Sequence, residues 1–218
     1  MLINRYGIEL KTLELEDALE LRKWRNHEAN RINMEFTEVI SVKEQQHWFE
    51  QIDFTQNLLF IYRQANERQG FVQLKNIDWV NKTAEAGVIH GNAATSGTIL
   101  PLMAIVSIME LAFGVLGLEQ LNAKIKKGNK PVERLNKAIG YVMKRGEEDN
   151  LFRYYTANRA AFTLATRSFR STLKKVATSD EFMLQLDKNS EVYDFWKDKI
   201  AENQEFSAMS TDPFKAIF

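Results

Sequence analysis

Residues 85–116 decide the fold: EAGVIH, then GNAATSGT, then ILPLMAIVSIMELAFGVL. The first six close a run from Thr83 to His90 whose side chains alternate with the period of a strand. Gly91 to Thr98 is small and polar and reads as a loop. From about Leu100 to Leu116 the chain is apolar around a helix, and Gly114 and Gly117 stand where a left-handed cap is needed. A loop of small residues opening a helix exposes backbone N–H groups at the positive end of the helix dipole. That makes an anion site of diphosphate size, although the same order also occurs as an ordinary strand-to-helix connection. The apolar run from Ile99 to Leu118 has the length of a membrane span. Pro101, Ser107, Glu110, Gly114 and Gly117 interrupt it, and a carboxylate in mid-span is costly in lipid, so a buried core helix is expected.

Working outward, Tyr6 to Leu13 alternates as a strand, and Leu15 to Trp24 has helical period. Asn26 to Asn33 is polar and reads as loop or broken helix. Ser41 caps a helix, with Glu44 completing a capping box; that helix carries His47, Trp48, Phe49 and Ile52. Leu58 to Gln64 and Gly70 to Lys75 are strands joined by the polar turn Ala65-Asn66-Glu67-Arg68. Beyond the long helix come a strand at Gln120 to Lys126 and a short helix at Lys130 to Ala138 that stops at Gly140. Tyr141 to Met143 and Phe152 to Tyr155 follow as a strand pair. From Arg159 the pattern is helical to about residue 200, and the final stretch is polar with scattered Phe. The expected architecture is α/β (α+β): a mixed, mostly antiparallel sheet flanked by helices over residues 1–158, with a helical C-terminal extension over 159–218.

Composition bounds the function. The chain has 218 residues, 44% hydrophobic and 27% charged, enough for one domain with a real core. Lys plus Arg is 29 and Asp plus Glu is 29. No basic excess points to nucleic acid, and no basic amphipathic start points to a membrane. Cysteine is absent, which excludes disulfides, a thiolate zinc site and a cysteine nucleophile. With three widely separated histidines no metal site is expected. Met1 to Arg5 lacks the build of a signal peptide, so a cytoplasmic location is expected.

Leu111-Ala112-Phe113, then Leu116-Gly117-Leu118, the strand to Lys126, Asn129, and Gly140-Tyr141 together resemble the GNAT acetyltransferase superfamily. The resemblance runs from Tyr6 to about Tyr155. Its usual pattern is an Asn, a helix and a Gly followed by Phe or Tyr, and Asn129, Val132, Leu135, Gly140 and Tyr141 fall on it. The resemblance implies acetyl-CoA as co-substrate, with Asn129 beside the CoA arm; as a helix cap Asn129 has a second, compatible role. It implies a cofactor surface formed by Val88, Ile89, Thr95, Ser96, Gly97, Thr98, Asn129 and Asn136. Two positions depart from the pattern. Gly97 is the lone glycine between Ala93 and Pro101, with no Arg or Gln opening that loop. Asn136 stands where many members carry a Tyr that protonates the leaving thiolate, and an amide is a poor acid.

Trp24-Arg25-Asn26-His27, together with Met34 and His47, resembles the N-acetyltransferases that act on nucleotide-linked amino sugars, as in pseudaminic acid synthesis. That resemblance places Trp24, Arg25, Asn26, Met34 and His47 beside the acceptor. Arg25 and His47 have the chemistry to bind a diphosphate; a surface ion pair and a half-buried helix histidine are the plainer roles. Relatives that acetylate protein N-termini also carry Trp-Arg-Asn, so the acceptor stays open between an amino sugar, a protein N-terminus and a small amine. Glu85 is the candidate general base and His90 the second. Strand alternation puts them on opposite faces unless a bulge intervenes. Backbone N–H groups of Val88 to His90 are the candidates to polarise the thioester carbonyl. In the extension, Arg167, Arg170, Lys174 and Lys175 read as a solvated basic face, with a charge cluster for an acidic partner as the alternative. Two roles are open to this segment: closing over the acceptor site or building a homodimer. The departures also leave room for a fold that binds a partner without catalysis.

Overall fold

The computed structural model describes residues 1–91, 97–177, 181–203 and 214–217. Among these, ten strands form one sheet in the order β10-β9-β1-β2-β3-β4-β5-β6-β8-β7. The strands are β1 (Leu2–Arg5), β2 (Ile8–Thr12), β3 (Leu58–Gln64), β4 (Glu67–Asp78), β5 (Thr83–His90), β6 (Gln120–Lys126), β7 (Val142–Met143), β8 (Phe152–Asn158), β9 (Phe182–Gln185) and β10 (Phe214–Ile217). Neighbours are antiparallel except β5 with β6 and β9 with β10. A parallel pair needs a crossover, and for β5 and β6 the long apolar helix supplies it.

That helix, α4 (Leu100–Glu110), buries eight of its eleven residues. It sits against the sheet in the main core with Tyr62, Val72, Leu74, Leu121 and Tyr155. Its last turn widens into a π turn at Leu111–Val115, and Gly117 follows in the left-handed region. The carboxylate that argued against a membrane span has a partner: Glu110 Oε2 accepts from Arg5 Nε at 2.8 Å, and Glu110 Oε1 accepts from the Tyr6 hydroxyl at 2.7 Å. No helix among the described residues is long and apolar enough to cross a membrane.

The opposite face carries α1 (Leu15–Asn26), the single turn α2 (Glu28–Arg31) and α3 (Val42–Glu50) over a smaller core of Leu13, Ala18, Leu21, Trp24, Leu59, Ile61 and Phe71. The capping box of α3 forms as expected: Glu44 N–H donates to Ser41 Oγ and Ser41 N–H to Glu44 Oε2. Helix α5 (Lys130–Ala138) begins at the N-cap Asn129.

Two stretches differ from the sequence reading. Tyr6 does not start a strand; Tyr6 and Gly7 both have positive φ and turn the chain between β1 and β2. The extension is helical over α6 (Arg159–Val176) and α7 (Tyr193–Glu202), but it also adds β9 and β10 to the sheet. Without β9 the edge of β1 would be bare, and Phe182 and Leu184 would lose their buried positions. Arg170 also leaves the expected solvated face: it turns inward, with Nη1 3.4 Å from Glu110 Oε1 and its guanidinium over the Phe162 ring.

Candidate active site

The site starts from a fork in the sheet. β5 pairs with β6 only at Thr83↔Gln120, Ala84↔Leu121 and Glu85↔Asn122. Beyond that point β5 stays with β4 as far as His90, and β6 stays with β8 as far as Lys126. From Ala86 and Ala123 onward the two strands diverge, so one edge of β5 loses its ladder partner. Successive N–H groups in a strand point to opposite edges. Of the neighbours Val88 and Ile89, therefore, only one directs its N–H into the gap.

Glu85 stands at the apex of the fork. Its Oε1 lies 2.9 Å from Lys75 Nζ, with both side chains about one-third exposed (32% and 35%). Strand pairing sets Lys75, Glu85, Asn122 and Thr156 in one row across β4, β5, β6 and β8. His90 is not brought to the same place. It lies five residues along β5, about 16 Å by strand rise, on the other face. Its Nδ1 is 3.2 Å from the Tyr62 hydroxyl, and its carbonyl accepts from Asn30 Nδ2 at 3.0 Å.

The segment from His27 to Ser41 is strapped over the Glu85 face of the sheet, the face that α1 and α3 cover. Asn30 Nδ2 also reaches the carbonyl of Trp24 at 2.9 Å, tying the end of α1 to the end of β5. Trp24 is 8% exposed. Its ring lies so close to the Gly91 backbone that a Cβ there would run into it, so only glycine fits. Asn26 uses both ends of its amide on Ile40: Nδ2 donates to the carbonyl at 2.8 Å, and Oδ1 accepts from the N–H at 2.9 Å. Trp24 and Asn26 thus build the wall of the site rather than present free groups to an acceptor. On the far side of the fork Lys124 Nζ meets Glu35 Oε1 at 2.6 Å, and Lys126 Nζ donates to the Ile32 carbonyl at 2.7 Å. Met34 lies half-buried in the strap.

Arg25, in the last turn of α1, is half-buried, and no hydrogen bond or ion pair engages its guanidinium among the described residues. Burial pulls its pKa below the ordinary guanidinium value. His47 is exposed in the last turn of α3; no contact among the described residues joins it to Arg25 or Glu85.

On the other side of the gap, Gly97 has a φ of +83° and Thr98 Oγ1 accepts from the Leu100 N–H at 3.4 Å, at the start of α4. Thr95 and Ser96 lie outside the described residues. Asn129 Oδ1 accepts from Val132 N–H at 3.4 Å, which satisfies the cap and leaves its NH2 group for a ligand. Asn136 is 8% exposed. Sequence reasoning missed Asn30, Asn122, Lys124, Lys126 and Thr156. The alternation of β6 carried part of the signal, since it puts Asn122, Lys124 and Lys126 on one face.

Residues 8–142 match the acetyltransferase (GNAT) domain family. The chain belongs to that family. This GNAT protein is an N-acetyltransferase and uses acetyl-CoA as its acyl donor. Among solved structures it is similar to spermidine N-acetyltransferase from Vibrio cholerae in complex with CoA and spermine (17% identity, 72% of this chain and 98% of that one, TM-score 0.65). It is equally similar in fold to apo FdhC, described as a nucleotide-linked sugar GNAT (19% identity, 79% and 98%, TM-score 0.65). A dodecameric form of the Vibrio enzyme is 21% identical over 74% and 98% (TM-score 0.60). No curated relative matches in sequence. The GNAT site fits the donor: the fork leaves a slot for the thioester arm, the freed β5 edge offers an N–H to its carbonyl, and Asn129 keeps a free amide NH2.

Proposed function

We propose that this enzyme acetylates the primary amine of an anionic small molecule, with a nucleotide-linked amino sugar as the fitting class. The unpartnered guanidinium of Arg25 carries the reading. A half-buried cation with no counter-charge is unfavourable on its own, and a phosphate or carboxylate of the acceptor would complete it. The surrounding charges point the same way. Glu85 is already matched by Lys75 and Glu35 by Lys124, so neither carboxylate is left over to attract a polyamine, while Lys126 Nζ meets only the Ile32 carbonyl. The likeness to a nucleotide-linked sugar GNAT supports the same class, and the likeness to polyamine enzymes supplies its main competitor.

In this reading residues 1–158 carry the chemistry, while in the extension β9 buttresses the β1 edge and α6 holds α4 through Arg170. Acetyl-CoA supplies an activated acetyl thioester. The freed N–H of Val88 or Ile89 stabilises the charge that develops on the carbonyl oxygen. Glu85, at the apex, takes the proton shed by the amine, directly or through water. The turn at Gly97–Thr98 that leads into α4, together with Asn129, holds the donor's anionic arm. Met34 and the strap enclose the acceptor, and His47 binds its outer end.

The test is a four-member acceptor panel: a UDP-linked amino sugar, a dTDP-linked amino sugar, spermidine and a peptide with a free N-terminus. Turnover is read as thiol release, which a chain without cysteine leaves free of background. Preferential turnover of a sugar nucleotide supports the proposal. Preference for spermidine or the peptide overturns the acceptor class and leaves acetyl transfer standing.

A further inference from the structure

The departing sulfur needs a proton, and the side chain of Asn136 cannot supply one. Two hydroxyls near the fork are buried without a hydrogen-bond partner among the described residues, Tyr141 Oη and Thr156 Oγ1. Buried tyrosine hydroxyls usually find partners, so each exception calls for a reason. An aliphatic hydroxyl is a far weaker acid than a phenol, which leaves Tyr141.

Its position fits the task. Tyr141 is 3% exposed and follows α5 directly; its N–H donates to the Asn136 carbonyl at 2.9 Å. The next residue, Val142, pairs with Thr156, Thr156 with Asn122, and Asn122 with Glu85. Tyr141 therefore stands beside the end of the row that runs to the apex. It belongs to the same buried cluster as Ala84, Ala86, Ala123 and Ala157. Ala86 and Ala123, small residues of that cluster, are the first residues beyond the fork. We propose that Tyr141 is the proton donor to the thiolate that leaves when the acetyl group is transferred.

The step balances. The amine nitrogen bonds to the acetyl carbonyl carbon as the C–S bond breaks, and the bonding pair stays on sulfur. Glu85 takes the proton that nitrogen sheds, the Tyr141 hydroxyl gives its proton to sulfur, and the proton on Glu85 returns to the phenolate. The products are the amide and the free thiol, with both side chains restored. Burial, and after it the charge of Glu85, hold the Tyr141 hydroxyl above the ordinary phenol value. When Glu85 is neutralised by the amine's proton the second contribution vanishes, so the phenol becomes a better donor as sulfur departs. This sequence rests on reading Glu85 as the base.

Tyr141→Phe tests it, measured with whichever member of the acceptor panel turns over. We expect kcat to fall about 10²-fold, with acceptor KM and the calorimetric Kd for acetyl-CoA within twofold of wild type. Tm should be unchanged or higher, because removing a buried unpartnered hydroxyl removes a desolvation penalty. An unchanged kcat overturns the assignment. A fall in kcat accompanied by a lower Tm or weaker acetyl-CoA binding also overturns it, since that marks a packing role. Glu85→Gln, run in parallel, separates the two readings: full turnover there removes the base and the proton return, while Tyr141→Phe still decides the donor. Turnover of no panel member by wild type overturns both.

Discussion

Glu110→Gln removes one charge and almost no volume, and its effect follows from four contacts. Arg5 Nε and Nη2 reach the Glu110 carboxylate at 2.8 and 3.2 Å, the Tyr6 hydroxyl at 2.7 Å, and Arg170 Nη1 at 3.4 Å. The Arg5 side chain is 0% exposed and that of Glu110 9%, so solvent cannot replace the lost partner. Removing one member of a buried ion pair costs about 3–5 kcal/mol. For a protein of this size that lowers Tm by roughly 8–16 °C at the middle of the range. Calorimetry or urea unfolding of the purified variant reads it. The double replacement Arg5→Met with Glu110→Met should recover only part of the loss, because it removes the buried pair but still takes the carboxylate from Arg170 and the Tyr6 hydroxyl. A Glu110→Gln protein within about 1 kcal/mol of wild type would refute the reasoning, since such a value is typical of exposed pairs.

Three further outcomes are expected. Arg25→Ala should raise the acceptor KM about 10- to 100-fold, the worth of a hydrogen bond to a charged group, and leave the acetyl-CoA Kd unchanged by titration calorimetry. If the acetyl-CoA Kd moves instead, Arg25 belongs to the donor side. Glu85→Gln should lower kcat by about 10²-fold without changing either affinity in steady-state and binding assays. Gln45 is fully buried in α3, and neither atom of its amide has a partner among the described residues. Gln45→Met should therefore stabilise the fold by about 1–2 kcal/mol, seen as a higher urea midpoint; destabilisation would mean that the amide has a partner in solution.

Legibility differed between elements. β3, β5, β6 and α5 have the bounds read from the sequence, because their signals are local: an apolar run ending at a polar turn for β3, alternation for β6, an Asn cap and a glycine stop for α5. The capping box of α3 is likewise a contact between residues three apart. Within the site, the alternation of β5 predicted that Glu85 and His90 part company, and no bulge between them reversed it. Trp24, Asn26 and Arg25 are adjacent in sequence, yet the structure gives them different work. The indole packs on Gly91, the amide clamps Ile40, and the guanidinium alone is left unengaged. No local pattern distinguishes these three, since their partners lie on other elements.

The sequence by itself determined that the chain makes a strand, a small-residue loop and an apolar helix in the order that builds an acyl-transfer fold. Periodicity and caps act over a few residues and need no distant partner. Only the tertiary structure decided where β5 and β6 stop pairing, that Glu110 meets Arg5 across 105 positions, and that β9 and β10 complete the sheet beside β1. Each depends on which of many chemically adequate partners the fold brings within hydrogen-bonding distance. That choice is settled by the packing of the whole chain around its core.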